Sequence, residues 1–172
     1  MTRNATAALL GIGVPVLVVL AIQLVPYGRD HTPPPSGRRV VWDSARTEEL
    51  ARRACFDCHS NETRWPWYAS IAPISWRIQT DVNLARARLD FTAFDSASAK
   101  VAEAAGEAAE TVTSGDMPPQ DYVLMHPEAR LMGADKRTLA AGLAATFAAF
   151  AGRGDRARPG SGGTKAPESP GR

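Results

Sequence analysis

The residues best suited to chemistry in this chain lie together in one pentapeptide, Cys55-Phe56-Asp57-Cys58-His59. Both cysteines of the protein fall inside it, and one of the three histidines completes it. Two thiols separated by two residues at the end of a helical turn can each form a thioether to one vinyl group of a porphyrin. The adjacent imidazole is then held beneath the iron as the proximal ligand. C-x-x-C-H is the attachment sequence for c-type haem. Other chemistries use the same residue types. A dithiol redox site needs a strand before the pair and a helix starting at the first cysteine. Zinc needs two further ligands at metal spacing, and His31 and His126 lie in unhelpful places. A disulfide across two residues closes almost no loop.

The elements that must position this pentapeptide read as helices. Asp43 or Ser44 can cap a helix over 45–58, which contains no proline or glycine. Leu50, Ala54 and Cys58 repeat on one of its faces, so the cysteines are expected on its last turn. Trp65-Pro66-Trp67-Tyr68 breaks the helix and concentrates aromatic rings, which either line a porphyrin edge or form a satellite core under a loop. A second helix opens after Ile71-Ala72-Pro73, with Ile78, Val82, Ala85 and Leu89 on one face and Asp81, Arg86, Arg88 and Asp90 on the wet side. Val101, Ala105, Ala108 and Val112 mark a third over 97–113, stopped by Gly115. Asp135 can cap a final helix carrying Leu139, Leu143, Phe147 and Phe150. There is no internal repeat and no convincing strand, so the fold class is all-α.

The second axial position of the iron decides between electron transfer and a reactive or sensory haem. Met117 is the leading candidate. It follows a helix end, and Pro118 and Pro119 behind it restrict the backbone. His126, followed by Pro127, is the alternative ligand, and Met117 could instead simply pack on apolar surface. Met125 and Met132 read as core filling beside Leu124 and Leu131.

Outside this region, residues 4–28 carry no charge and 9–25 are almost wholly aliphatic. About 20 helical residues cross a hydrocarbon core of about 30 Å, so residues 1–28 are expected to form a transmembrane signal anchor. Val19-Leu20-Ala21 also offers a cleavage sequence, and Pro15 would kink a spanning helix. Arg29, Arg38 and Arg39 after the helix outnumber Arg3 before it, which by charge alone places the domain inside. The haem motif argues for the export side, and the motif is followed. Residues 29–41 read as a stiff proline-rich linker that lifts a domain over 42–151 off the surface, with His31 solvated in it. Residues 152–172 read as a disordered tail. The formal charge of +2 gives no footing for nucleic acid.

Cys55-Phe56-Asp57-Cys58-His59-Ser60-Asn61-Glu62-Thr63, running into Trp65-Pro66-Trp67-Tyr68 and Ile71-Ala72-Pro73-Ile74-Ser75-Trp76, resembles the bacterial haem-binding-domain family of cytochrome c-like proteins. Met117-Pro118-Pro119 and His126-Pro127-Glu128-Ala129 extend the likeness over roughly 42–150. The resemblance implies an all-helical cytochrome c-like domain around one covalent haem c, with His59 proximal and Met117 distal. By analogy with small class I cytochromes, the carbonyl near Ala72-Pro73 is expected to accept the other His59 N–H. The alanine-rich stretch 97–109 departs from the pattern, where larger apolar residues are expected. The expected function is a membrane-tethered electron carrier on the periplasmic side, exchanging single electrons with redox proteins of a membrane chain. The other reading is a haem sensor or peroxidase-like protein with an open sixth position.

Overall fold

A computed structural model of the chain describes residues 9–95 and 99–157. Among them the secondary structure is helical, without strands. A π-helical turn, Leu9–Gly13, leads into α1, Val14–Ile22. The domain then runs through α2 (Ala45–Ala54), α3 (Phe56–His59), a 3₁₀ turn (Trp67–Ser70), α4 (Ile74–Arg88), α5 (Ala99–Ser114), α6 (Gln120–Met125), a second 3₁₀ turn (Pro127–Ala129) and α7 (Gly133–Ala157).

The sequence dictates where α2 begins. Ser44 is extended, and its hydroxyl accepts from the Thr47 N–H at 3.2 Å, satisfying one of the free donors of the first turn. The expected single helix over 45–58 is broken in two. Cys55 (φ −126°, ψ −30°) leaves helical geometry, and α3 restarts behind it with Cys58 and His59 N–H donating to the Cys55 carbonyl at 3.2 and 2.9 Å.

α2, α5 and α7 build the core. Leu50, Ala51, Val112, Leu139 and Leu143 are buried there with Phe91, Phe94 and Phe147. α5 packs along α7, so the alanine-rich stretch serves close approach rather than weak packing. Gly142 of α7 fits against Thr47 of α2, because a Cβ at Gly142 would lie 2.0 Å from the threonine Oγ1. Asp135 does not cap its own helix. Its two oxygens take Arg46 and Arg53 of α2 at 2.7 Å each, and the Arg53 and Arg46 guanidiniums hold its carboxyl below the usual range.

The transmembrane helix is overturned. α1 has nine residues, about 14 Å of helix against a hydrocarbon core of about 30 Å. Among the described residues no helix is long and apolar enough to cross a membrane, so the single-pass membrane placement falls with it. The reason is local. Gln23 leaves the helix and spends its side-chain amide on the domain, donating to the Ala72 carbonyl at 2.9 Å and accepting from the Ala72 N–H at 3.0 Å. Pro26 follows, and Gly28 (φ +77°) turns the chain where a Cβ would lie 2.3 Å from the Ser75 carbonyl oxygen. Residues 1–8 of the expected anchor lie outside the described residues.

The proline run does not stand off the domain. Asn61 Nδ2 donates to the Pro34 and Pro35 carbonyls, both at 3.2 Å. Gly37 and Val40 N–H donate to Thr92 and Phe91 carbonyls at 2.9 Å each. His31 is not free in solvent either, since its ring stacks on Trp65 with centroids 4.1 Å apart and planes 3° off parallel. At the other end, α7 continues to Ala157, and residues 158–172 of the expected tail lie outside the described residues.

Candidate functional site

The break at Cys55 turns the pentapeptide into a corner between α2 and α3, and α4 packs against α3. Both cysteines are free thiols, half-buried at this corner. Burial pushes the Cys55 thiol up to about 12, and burial with the Asp57 charge pushes Cys58 up to about 11. A dithiol oxidoreductase needs the opposite, a thiolate stabilised below the ordinary thiol value. These thiols stay protonated at neutral pH.

His59 Nδ1 lies 2.9 Å from the Leu89 carbonyl oxygen. A carbonyl only accepts, so Nδ1 carries the proton and Nε2 is left with its lone pair. Burial holds the ring below its usual pKa, as neutral imidazole. The partner is not the expected Ala72, whose backbone is taken by Gln23. Leu89 caps the C-terminus of α4, where a carbonyl has no partner within its helix.

The residues after the motif lock this corner. The Ser60 hydroxyl donates to the Phe56 carbonyl at 2.7 Å, and Asn61 N–H donates to Thr92 Oγ1 at 2.8 Å. Arg86 of α4 donates to the Ser60 carbonyl and to Thr63 Oγ1, both at 2.8 Å. The sequence reading left Arg86 as a solvated charge. Its period on α4 could have shown otherwise, since Arg86 lies one helical step from the buried Val82.

Met117 lies on the limb between α5 and α6. Its N–H donates to the Thr111 carbonyl at 3.0 Å, and 36% of its surface is exposed. The limb reaches the motif through the Tyr122 hydroxyl, which donates to Asp57 Oδ2 at 2.8 Å. Asp121, at the start of α6, contributes to the field at the Cys58 thiol, and it also meets Arg77 of α4 at 2.5 Å. His126 stacks on Tyr122, with centroids 4.3 Å apart, and its Nδ1 donates to the Tyr122 carbonyl at 3.1 Å. It therefore shares with His59 the protonation pattern that leaves Nε2 free. Met125 and Met132 are exposed rather than core filling. Asp57, Arg64 and Tyr122, which sequence reasoning assigned no role, form one connected group. Asp57 is buried and accepts from Arg64 N–H at 3.0 Å and from the Tyr122 hydroxyl at 2.8 Å.

A family model described as a haem-binding domain matches residues 17–145. The chain belongs to that family. No curated protein and no solved structure matches it. For a haem-binding domain the donor set at the corner fits. It offers two unpaired thiols and an imidazole with one nitrogen oriented by a backbone carbonyl and the other left for a metal. Trp67, Ile71 and Ile74, on the segment that follows the motif, keep apolar surface exposed, and so does Met117 on the limb before α6. Among the described residues no cluster of three or more His, Cys, Asp or Glu side chains could hold a metal ion by itself. A haem iron takes most of its bonds from the porphyrin and needs no such cluster.

Proposed function

We propose that this haem-binding domain is a monohaem c-type cytochrome that carries single electrons between redox proteins. Haem, when bound, supplies an iron that changes oxidation state by one electron. The chain supplies the attachment and the ligands. Cys55 and Cys58 would hold the haem through thioethers to its two vinyl groups. His59 offers Nε2 to one side of the iron, oriented through Nδ1 by the Leu89 carbonyl. Met117 would supply a thioether ligand, which raises the reduction potential relative to two imidazoles. The observation that carries the reading is the oriented, neutral imidazole directly after two protonated, unpaired thiols.

Two measurements on protein made in a haem-maturing host test it. Intact mass under denaturing conditions is expected to include one haem, and replacing Cys55 and Cys58 by Ser abolishes that increment. Full-length protein without the increment, its thiols free, ends the proposal. The visible spectrum is expected to be low-spin with a methionine–iron charge-transfer band, and Met117→Ala converts it to high-spin with ready carbon monoxide binding. The free Nε2 of His126 favours a second ligand assignment, two imidazoles. An unchanged low-spin spectrum in Met117→Ala with loss of that state in His126→Ala selects it.

A further inference from the structure

The limb that carries Met117 buries Val123 of α6 but has few polar ties to the motif. α6 makes no close backbone approach to α3 or α4. Its connections to them run through two long side chains. One is Asp121 to Arg77, in which both partners are exposed, so water and salt screen it. The other is the Tyr122 hydroxyl to Asp57 Oδ2 at 2.8 Å, a charge-assisted bond to a buried carboxylate. The acceptor is itself fixed. Asp57 Oδ1 receives the Arg64 N–H at 3.0 Å and Nε at 3.3 Å, and Arg64 Nη2 reaches Oδ2 at 3.4 Å. Asp57 sits between the two cysteines, so its carboxylate is as rigidly placed as the attachment corner. Tyr122 is one turn beyond Pro118 and Pro119, and the Met117 N–H is tied at the other end to Thr111 of α5. The limb is thus anchored on both sides of the methionine, once to α5 and once to the motif.

We propose that Asp57 is a positioning residue which, through the Tyr122 hydroxyl, latches α6 to the C-x-x-C-H corner and fixes the Met117-bearing limb at the sixth position of the iron. The proposal rests on the Met117 assignment above for its spectroscopic consequence, though the latch itself does not. It gives the acid between the cysteines a function beyond spacing them. It also makes ligand lability a property of one hydrogen bond 65 residues apart in sequence.

The test uses the full, haem-loaded chain. Tyr122→Phe removes only the hydroxyl and keeps the ring that stacks on His126. Expected are a weakened methionine–iron band, imidazole binding to the ferric protein tighter by about tenfold (about 1.4 kcal/mol), and faster hydrogen exchange of the 120–126 amides. Asp57→Ala does the same, whereas Asp57→Asn, whose amide oxygen still accepts from Tyr122, gives a smaller shift. Wild-type imidazole affinity together with wild-type exchange at 120–126 in Tyr122→Phe overturns the latch. An unchanged spectrum in Met117→Ala, with exchange still accelerated in Tyr122→Phe, overturns the ligand assignment alone. Should Asp57→Ala fail to load haem, Tyr122→Phe, which leaves the pentapeptide itself unchanged, carries the decision.

Discussion

Two residues at the corner show how burial rather than identity sets chemistry. A cysteine pair separated by two residues can serve as a redox dithiol only where the surroundings of the sulfur favour the thiolate. Here the Cys55 thiol is pushed from 9.0 up to about 12 by burial, with the neighbouring Cys58 adding to it. In protein without attached haem, alkylation of folded Cys55 at neutral pH is therefore expected to be slow and to rise tenfold per pH unit well past pH 9. Denatured chain levels off near that point. The stability consequence has a definite sign. The folded pKa is raised, so the thiol's contribution is intact below about pH 9 and is lost as pH climbs toward 12, where the unfolded chain has already shed its proton. A folded-state alkylation profile that levels off below pH 9 contradicts this environment for Cys55.

At the scale of elements, α2 and α7 meet through a threonine set into a glycine. Thr47 is buried, bonded to Ser44 Oγ at 2.9 Å, and its Oγ1 occupies the space of a Gly142 Cβ. Gly142→Ala puts a methyl into that contact, and overpacking of this kind costs about 1–3 kcal/mol. The gain in helix propensity, up to about 1 kcal/mol, opposes it without cancelling it. A lower denaturant midpoint at unchanged slope is the expected result, and pairing it with Thr47→Ala should recover much of the loss, because that removes the atoms in the way. Equal midpoints for Gly142→Ala and wild type mean that the helices separate freely here.

The same elements show what the sequence makes legible. The apolar periods of α4, α5 and α7 survive, with Val82, Val112, Leu139 and Leu143 buried where the spacing puts them. Local patterns fix such faces because each helix must bury its own stripe. What fails is non-local. The break at Cys55 follows no glycine or proline. Leu89, not Ala72, reaches His59, because Gln23 from 49 residues away takes the Ala72 backbone first. The apolar run at 9–25 has the composition of a spanning helix, yet α1 ends at Ile22 where Gln23 is captured by the domain. Tyr122 and Asp57 likewise meet only through tertiary structure. Composition and period report how a segment satisfies itself, and carry little about which distant partner competes for its backbone.

Across the described residues, apart from the exposed apolar run 12–27 and the scattered Val41, Leu84 and Met132, the large apolar side chains fall into two populations. Leu50, Phe91, Phe94, Val112, Leu139, Leu143 and Phe147 are buried against one another by α2, α5, α7 and the segment after α4. Trp67, Ile71, Ile74, Met117, Leu124 and Met125 keep large exposed surfaces, and all lie on the stretches 67–74 and 117–125. Trp67 is 78% exposed. The first population is built by helix packing, with Cys55 only at its partly buried margin, so its stability rests mainly on the helices. A Cys55→Ser, Cys58→Ser protein is therefore expected to keep most of its helical circular dichroism. Slow amide exchange should persist in α2, α5 and α7. The second population predicts that the same protein exchanges fast over 117–129, where α6 is tied to the rest by side chains, and that covalent haem slows exchange there first. Leu50, Leu139 and Leu143 are buried at the centre of the first population, and burying a leucine contributes about 1.5–3 kcal/mol before the entropy of ordering the chain is counted. Loss of helicity throughout the double serine variant means that the two populations fold as one, and that the corner organises the core rather than resting on it.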